Sequence, residues 1–189
     1  MNVKPTLILA GLLILLSGIF FFLVQTRTVK KQDERPQVWS VEEEKIQRIT
    51  IFLPREQNAL TFFKDQDDRW RFEDKTKSPV DIKRWGGIVL LVSGPKSKRM
   101  IAEKADNLSE YEFNDPQMVV ILGLQNRKDP LEILFGGRTP QGDQFYVKLK
   151  NSPTIYIMHS IYCEVLMRLV QEPPYPSPAK AVQIKKEKG

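Results

Sequence analysis

The chain has 189 residues, 41% of them hydrophobic, with 13 prolines, one cysteine and one histidine. It is too apolar to be disordered throughout, and a single cysteine excludes an intrachain disulfide framework. The net charge of +6 sits outside the body: Pro36 to Pro178 holds 20 basic and 20 acidic residues, so the fold lacks the basic footprint of a nucleic-acid binder.

Leu7 to Val24 reads LILAGLLILLSGIFFFLV, uncharged and with Ser17 as its one polar side chain. At 1.5 Å rise per residue, roughly 18 helical residues reach about 27 Å, close to the hydrocarbon thickness of a bilayer. The run predicts a transmembrane anchor over residues 1–25. A cleaved signal peptide is the alternative, with a shorter apolar core and an A-x-A-like site. Ala10, Gly11, Ser17 and Gly18 are the small residues of the span. Gly11 and Gly18 lie nearly two turns apart on one stripe, which allows a second membrane helix to approach. Counting Lys and Arg at the helix ends favours a cytoplasmic domain. A short N-terminal flank before one anchor is also how exported domains are tethered, and extracytoplasmic placement is the expectation adopted.

Residues 26–37 are polar and contain Pro36, which predicts a tether. The α+β domain is expected over 38–172, in two halves of about 45–104 and 117–172. In the first, Ile49–Leu53, Leu60–Phe63 and Arg69–Glu73 alternate as strands. Trp70 and Phe72 should face inward, with Arg69, Arg71 and Glu73 outward. Asp81 reads as the N-cap of a helix running to about Val92, weakened by Gly86 and Gly87. Arg99–Ala102 is a further short strand.

The plan then repeats. Met118–Leu124, Leu131–Phe135, Phe145–Leu149 and Thr154–Met158 are the expected strands, with a loop over Gly136–Asp143. A helix from Ser160 carries Ile161, Tyr162, Val165, Leu166 and Leu169 on one face. Each half is an antiparallel β-meander closed by a helix. The 173–189 tail is Pro-rich, then Lys-rich. Its prolines favour polyproline II, as a spacer or as a docking peptide.

Candidate chemistry is sparse. His159 and Cys163 are four residues apart and could share a helix face as a thiolate–imidazole pair. Two ligands do not close a zinc site, so no metal and no cofactor is expected. Asp65-Gln66-Asp67-Asp68 lacks the glycine and glutamate of a calcium loop and reads as a charged hairpin turn. Gly136–Gly142 has no Gly-Lys-Ser/Thr ending and joins two strands. Thr139-Pro140-Gln141-Gly142 is expected to form a β-turn. No catalytic residue is assigned.

Several short motifs bear on family: Ile49-Thr50-Ile51, Trp70-Arg71-Phe72, Pro79-Val80-Asp81 before a helix, Tyr111 followed by Asp115-Pro116, and Thr139-Pro140-x-Gly142-x3-Tyr146-Val147. Spread over residues 45–172, this pattern resembles the bacterial domain-of-unknown-function 4340 family, single-pass proteins with an N-terminal anchor. Glu112-Phe113 departs from the Gly-Leu expected after the tyrosine. The resemblance implies an anchored α+β module serving a larger membrane assembly, with no catalytic residues to carry over. The expected function is a non-enzymatic accessory, scaffolding or assembly subunit, contacting a membrane protein complex and lipid through the anchor and the domain surface. The alternatives are a tethered ligand- or lipid-binding module and a hydrolase or thiol enzyme built on His159 and Cys163.

Overall fold

The computed structural model describes residues 13, 15–20, 35–105 and 107–176. The chain divides into two compact units, Met1–Glu34 and Arg35–Gly189. In the first, residues 13 and 15–20 are helical and exposed. Most of the expected anchor span lies outside the described residues, among which no helix is long and apolar enough to cross a membrane.

The second unit is α+β and is built on one antiparallel sheet of eight strands. Their order is β3-β2-β1-β5-β6-β7-β8-β4, with β1 Ile46–Leu53, β2 Asn58–Lys64, β3 Trp70–Phe72, β4 Arg99–Ala102, β5 Met118–Leu124, β6 Leu131–Arg138, β7 Gln144–Leu149 and β8 Ile155–His159. The two expected meanders therefore share a sheet, joined where β1 pairs with β5 in the register Ile49↔Leu122 and Ile51↔Val120. Period-2 alternation fixes the faces. Ile49, Ile51, Phe62, Phe72, Val120, Leu122, Ile133, Phe135 and Val147 all bury on one side.

Helix α3, Ser160–Gln171, closes that side over β1, β2, β7 and β8. Its inner residues Cys163, Leu166, Leu169 and Val170 join the core. The helix expected from Ile82 to Val92 is two short helices instead, α1 Ile82–Trp85 and α2 Ile88–Ser93. The break falls at Gly86-Gly87, where Gly87 takes φ +80°, a left-handed conformation open to glycine at little cost.

Three further expectations are corrected. Arg99–Ala102 lies beside β8, at the opposite edge from β3, so the first run of chain donates a strand to the second. Pro36 and Gln37, read as tether, belong to the fold: Gln37 bridges Lys96, and Ser97 N–H donates to Pro36 O at 2.8 Å. Strand β6 runs through Gly136-Gly137 to Arg138 with a register shift after Phe135. Both glycines are buried because the Tyr111–Phe113 turn lies on them. A Cβ on Gly136 would sit 2.0 Å from the Tyr111 carbonyl oxygen, and one on Gly137 would sit 2.6 Å from the Glu112 carboxyl. Glu112 itself turns the chain at φ +58°, held by Arg55, whose Nη2 donates to its carboxylate at 2.7 Å.

These contacts make the Gly136 site a sharp test of the fold. Gly136→Ala should cost about 3 kcal/mol or more, since neither backbone can give way. Gly142→Ala, at φ +79° in open space, should cost only about 1 kcal/mol. Urea midpoints of the two variants measure the difference.

Candidate functional site

The His159–Cys163 pair is not assembled. His159 is exposed and caps α3, its Nδ1 accepting the Ile161 N–H at 3.4 Å. Cys163 is fully buried in the core, and burial pushes its thiol far above the ordinary thiol range. A buried protonated thiol is a poor nucleophile.

Of the helix-packing residues, Ala10 and Gly11 lie outside the described residues. Ser17 and Gly18 fall within helical residues 15–20 and are exposed, and a Cβ on Gly18 would meet nothing within 4 Å. Thr139–Gly142 forms the expected turn, closed by Gly142 N–H donating to Thr139 O at 2.8 Å. Among the described residues no group of His, Cys, Asp and Glu could hold a metal ion.

The acidic turn Asp65–Asp68 is a structural knot. Asp65 accepts from Arg71 Nε at 2.5 Å and from the N–H groups of Asp67 and Arg69, both at 2.9 Å. The Arg71 guanidinium, with the Arg69 N–H next, holds the Asp65 carboxyl down at about 2.

Beside this turn lies a site that sequence reading missed. Trp70 stands on β3, half-buried. Ser78–Val80 runs along the outer edge of β3, with Phe72 N–H donating to Ser78 O and Val80 N–H to Trp70 O. Asp81 then caps α1, accepting the Lys83 N–H at 3.0 Å, and the single turn of α1 lays Trp85 against Trp70 (5.4 Å) and Phe62 (4.4 Å). After α3, residues 172–176 fold back across this corner. Arg84 donates to the carbonyls of Glu172 and Pro173, and Asp81 N–H donates to Pro174 O. The Tyr175 ring stacks on Phe72 at 4.0 Å, and its hydroxyl donates to Asp74.

Together these elements enclose a cleft of about 400 Å³, walled by Trp70, Pro79, Val80, Ile82, Trp85 and Pro176, with Asp68, Arg69 and Asp81 also lining it. Its sequence signal was the pairing of two tryptophans with a proline-rich return. That signal needs the fold, because Trp70 and Pro176 are far apart in the chain.

Two measurements follow. Cys163 should resist a maleimide in the native protein and react once unfolded, and Cys163→Ser should lower stability by about 1–3 kcal/mol by burying a hydroxyl among apolar groups. The ion pairs of Asp65 should act in acid. A depressed carboxyl contributes stability that is fully present above its unfolded value of 3.8 and is lost as pH falls through the folded value. Asp65→Asn should therefore flatten the fall in thermal midpoint between about pH 4 and pH 2.

No curated protein and no solved structure matches the chain. The sequence pattern of the domain of unknown function DUF4340 matches residues 70–170, from β3 through α3. More than half of the chain, including Trp70, Trp85 and the whole of β4 to β8, falls within that match. The chain belongs to the DUF4340 family.

Proposed function

We propose that the protein is a non-enzymatic accessory subunit of a membrane complex, held by its N-terminal apolar segment and engaged through its folded domain. The observation that carries this reading is the outer surface of the helical layer. On α3, Ile161 and Val165 are one turn apart and remain 64% and 39% exposed. Val165 leads into a cleft of about 140 Å³ shared with Ile88, Leu169, Arg84 and Arg168. That is below the usual size of a small-molecule pocket and suits one anchoring side chain of a partner, with arginines at the rim as interfaces favour. The buried thiol and the capping histidine weigh against the alternative built on His159 and Cys163. The domain is proposed to face away from the cytoplasm.

Co-purification from mild detergent tests this reading. Ile161→Glu combined with Val165→Glu should abolish recovery of the partner while moving stability by no more than about 0.5 kcal/mol, since both positions are surface sites. Gly11→Leu with Gly18→Leu should weaken recovery separately, by holding helix backbones apart. His159→Ala should leave it intact. Unchanged recovery in both multiple variants would end the proposal. For orientation, Ser177→Cys in a Cys163→Ala background should be labelled by an impermeant maleimide in intact cells.

A further inference from the structure

The Trp70–Trp85 cleft, about 400 Å³ in volume, has walls that are almost wholly apolar. Trp70 is half-buried, and Ile82, at the start of α1, is left 84% exposed. A branched side chain that open, beside two indoles and two pyrrolidine rings, makes a surface suited to an extended apolar segment.

The chain itself supplies an occupant. Pro176 is both a wall of the cleft and the last described residue before 177, so the next residues depart from the cleft itself. They read Ser177-Pro178-Ala179-Lys180-Ala181-Val182-Gln183-Ile184. Val182 and Ile184 are the only branched apolar residues after Pro176, and at a spacing of two they face one side of an extended segment. Val182 follows Pro176 by six residues, a reach of up to about 20 Å.

The charges agree. Lys180 precedes the apolar pair, and Lys185 and Lys186 follow it. Among the described residues lining the cleft, Asp68 and Asp81 stand against one cation, Arg69. Arg69 is bonded to Asp67 and lies 3.5 Å from Asp65. Asp68 is 3.7 Å from Lys64 with its side chain 85% exposed, which leaves room for a second cation.

We propose that residues 177–184 of the same chain dock on this cleft, with Val182 and Ile184 seated against Trp70, Trp85 and Ile82 and a flanking lysine beside Asp68. The return over residues 172–176 fixes the point of departure. Arg84 and the Asp81 N–H hold its carbonyls, and Tyr175 is stacked on Phe72 and bonded to Asp74. A short tether keeps a segment at an effective concentration of about 1 mM or more, so an intrinsic dissociation constant of about 0.1 mM fills the cleft about nine-tenths of the time. The docking is independent of the helical-layer contact.

Paired cysteines in the full-length Cys163→Ala chain, in mild detergent, test the placement. Ile82→Cys with Val182→Cys should form a disulfide within one chain under mild oxidation. The rate should be about tenfold above that of Leu90→Cys with Val182→Cys, the occupancy ratio expected for a docked against an undocked partner. Leu90 is a fair control because it is 63% exposed and lies outside the cleft. Adding Ile184→Asp should bring the first pair down to the control rate. Tryptophan fluorescence with Cys163 retained gives a second measurement. Trp39 and Trp85 are both 6% exposed, so acrylamide quenching reports mainly on Trp70. Val182→Asp with Ile184→Asp should raise quenching about twofold, and a synthetic peptide of residues 177–189 should reverse the rise with a dissociation constant of about 0.1 mM.

Equal cross-linking rates for the Ile82 and Leu90 pairs, or quenching unmoved by the two aspartates, would overturn the proposal. A cross-link formed only between two chains would overturn it too, by giving the cleft to a second copy. Failure of the peptide to reverse the quenching would do the same.

Discussion

Everything in the folded unit depends on the pairing of β1 with β5. These strands stand third and fourth in the sheet order, and Ile49, Ile51, Val120 and Leu122 on their inner face are all buried. Neither run of chain can cover its own apolar face with one helix. Fused edge to edge, they form a surface wide enough for α3 to close, and α3 touches strands of both runs. The same fusion fixes where the irregular parts sit. The Tyr111–Phe113 turn leads into β5, and it lies over the outer side of β6 because Gly136 and Gly137 carry no side chains to stop it.

On that outer side the sheet keeps one charge in an apolar setting. Lys148 is 4% exposed, with Nζ 5.9 Å from the centre of the Phe113 ring and donating to Lys150 O. Desolvation lowers its pKa, so the folded state gains relative stability as pH rises toward the ordinary lysine value. The alternation of β7 puts Lys148 on the face where Phe113 arrives. That residue therefore owes its burial to a turn over thirty positions earlier in the chain.

Much of this was readable from residue patterns. Strands of the first run declare themselves by β-branched alternation in Ile49–Leu53, and Asp81 by its place before a helical spacing. The charged turn at Asp65–Asp68 and the β-turn at Thr139–Gly142 follow from their residue types. What stayed hidden was long-range. Nothing local in Arg99–Ala102 says that it pairs with β8, and Gly136-Gly137 looks like a loop until the turn packed on it is known. Exposure hid the surface cleft at Ile161 and Val165, because periodicity assigns apolar residues inward. The tryptophan cleft was unreadable for the same reason: Trp70 fits a core strand residue equally well, and only the folded return of Tyr175 and Pro176 makes it a wall.

The placement of β4 has a bearing on how the domain is made. Among the described residues its only ladder partner is β8, which the ribosome delivers more than fifty residues later. Until then Arg99–Ala102 has no neighbour, and the sheet cannot be completed from the N-terminus onward in step with synthesis. The strand is short, and Arg99 and Met100 remain exposed in the finished fold. A brief, partly charged strand is a poor template for a foreign edge while it waits. Loop closure over that distance is slow relative to local pairing, so β4 is expected to be the last strand to dock, sealing a sheet whose other seven are already in register.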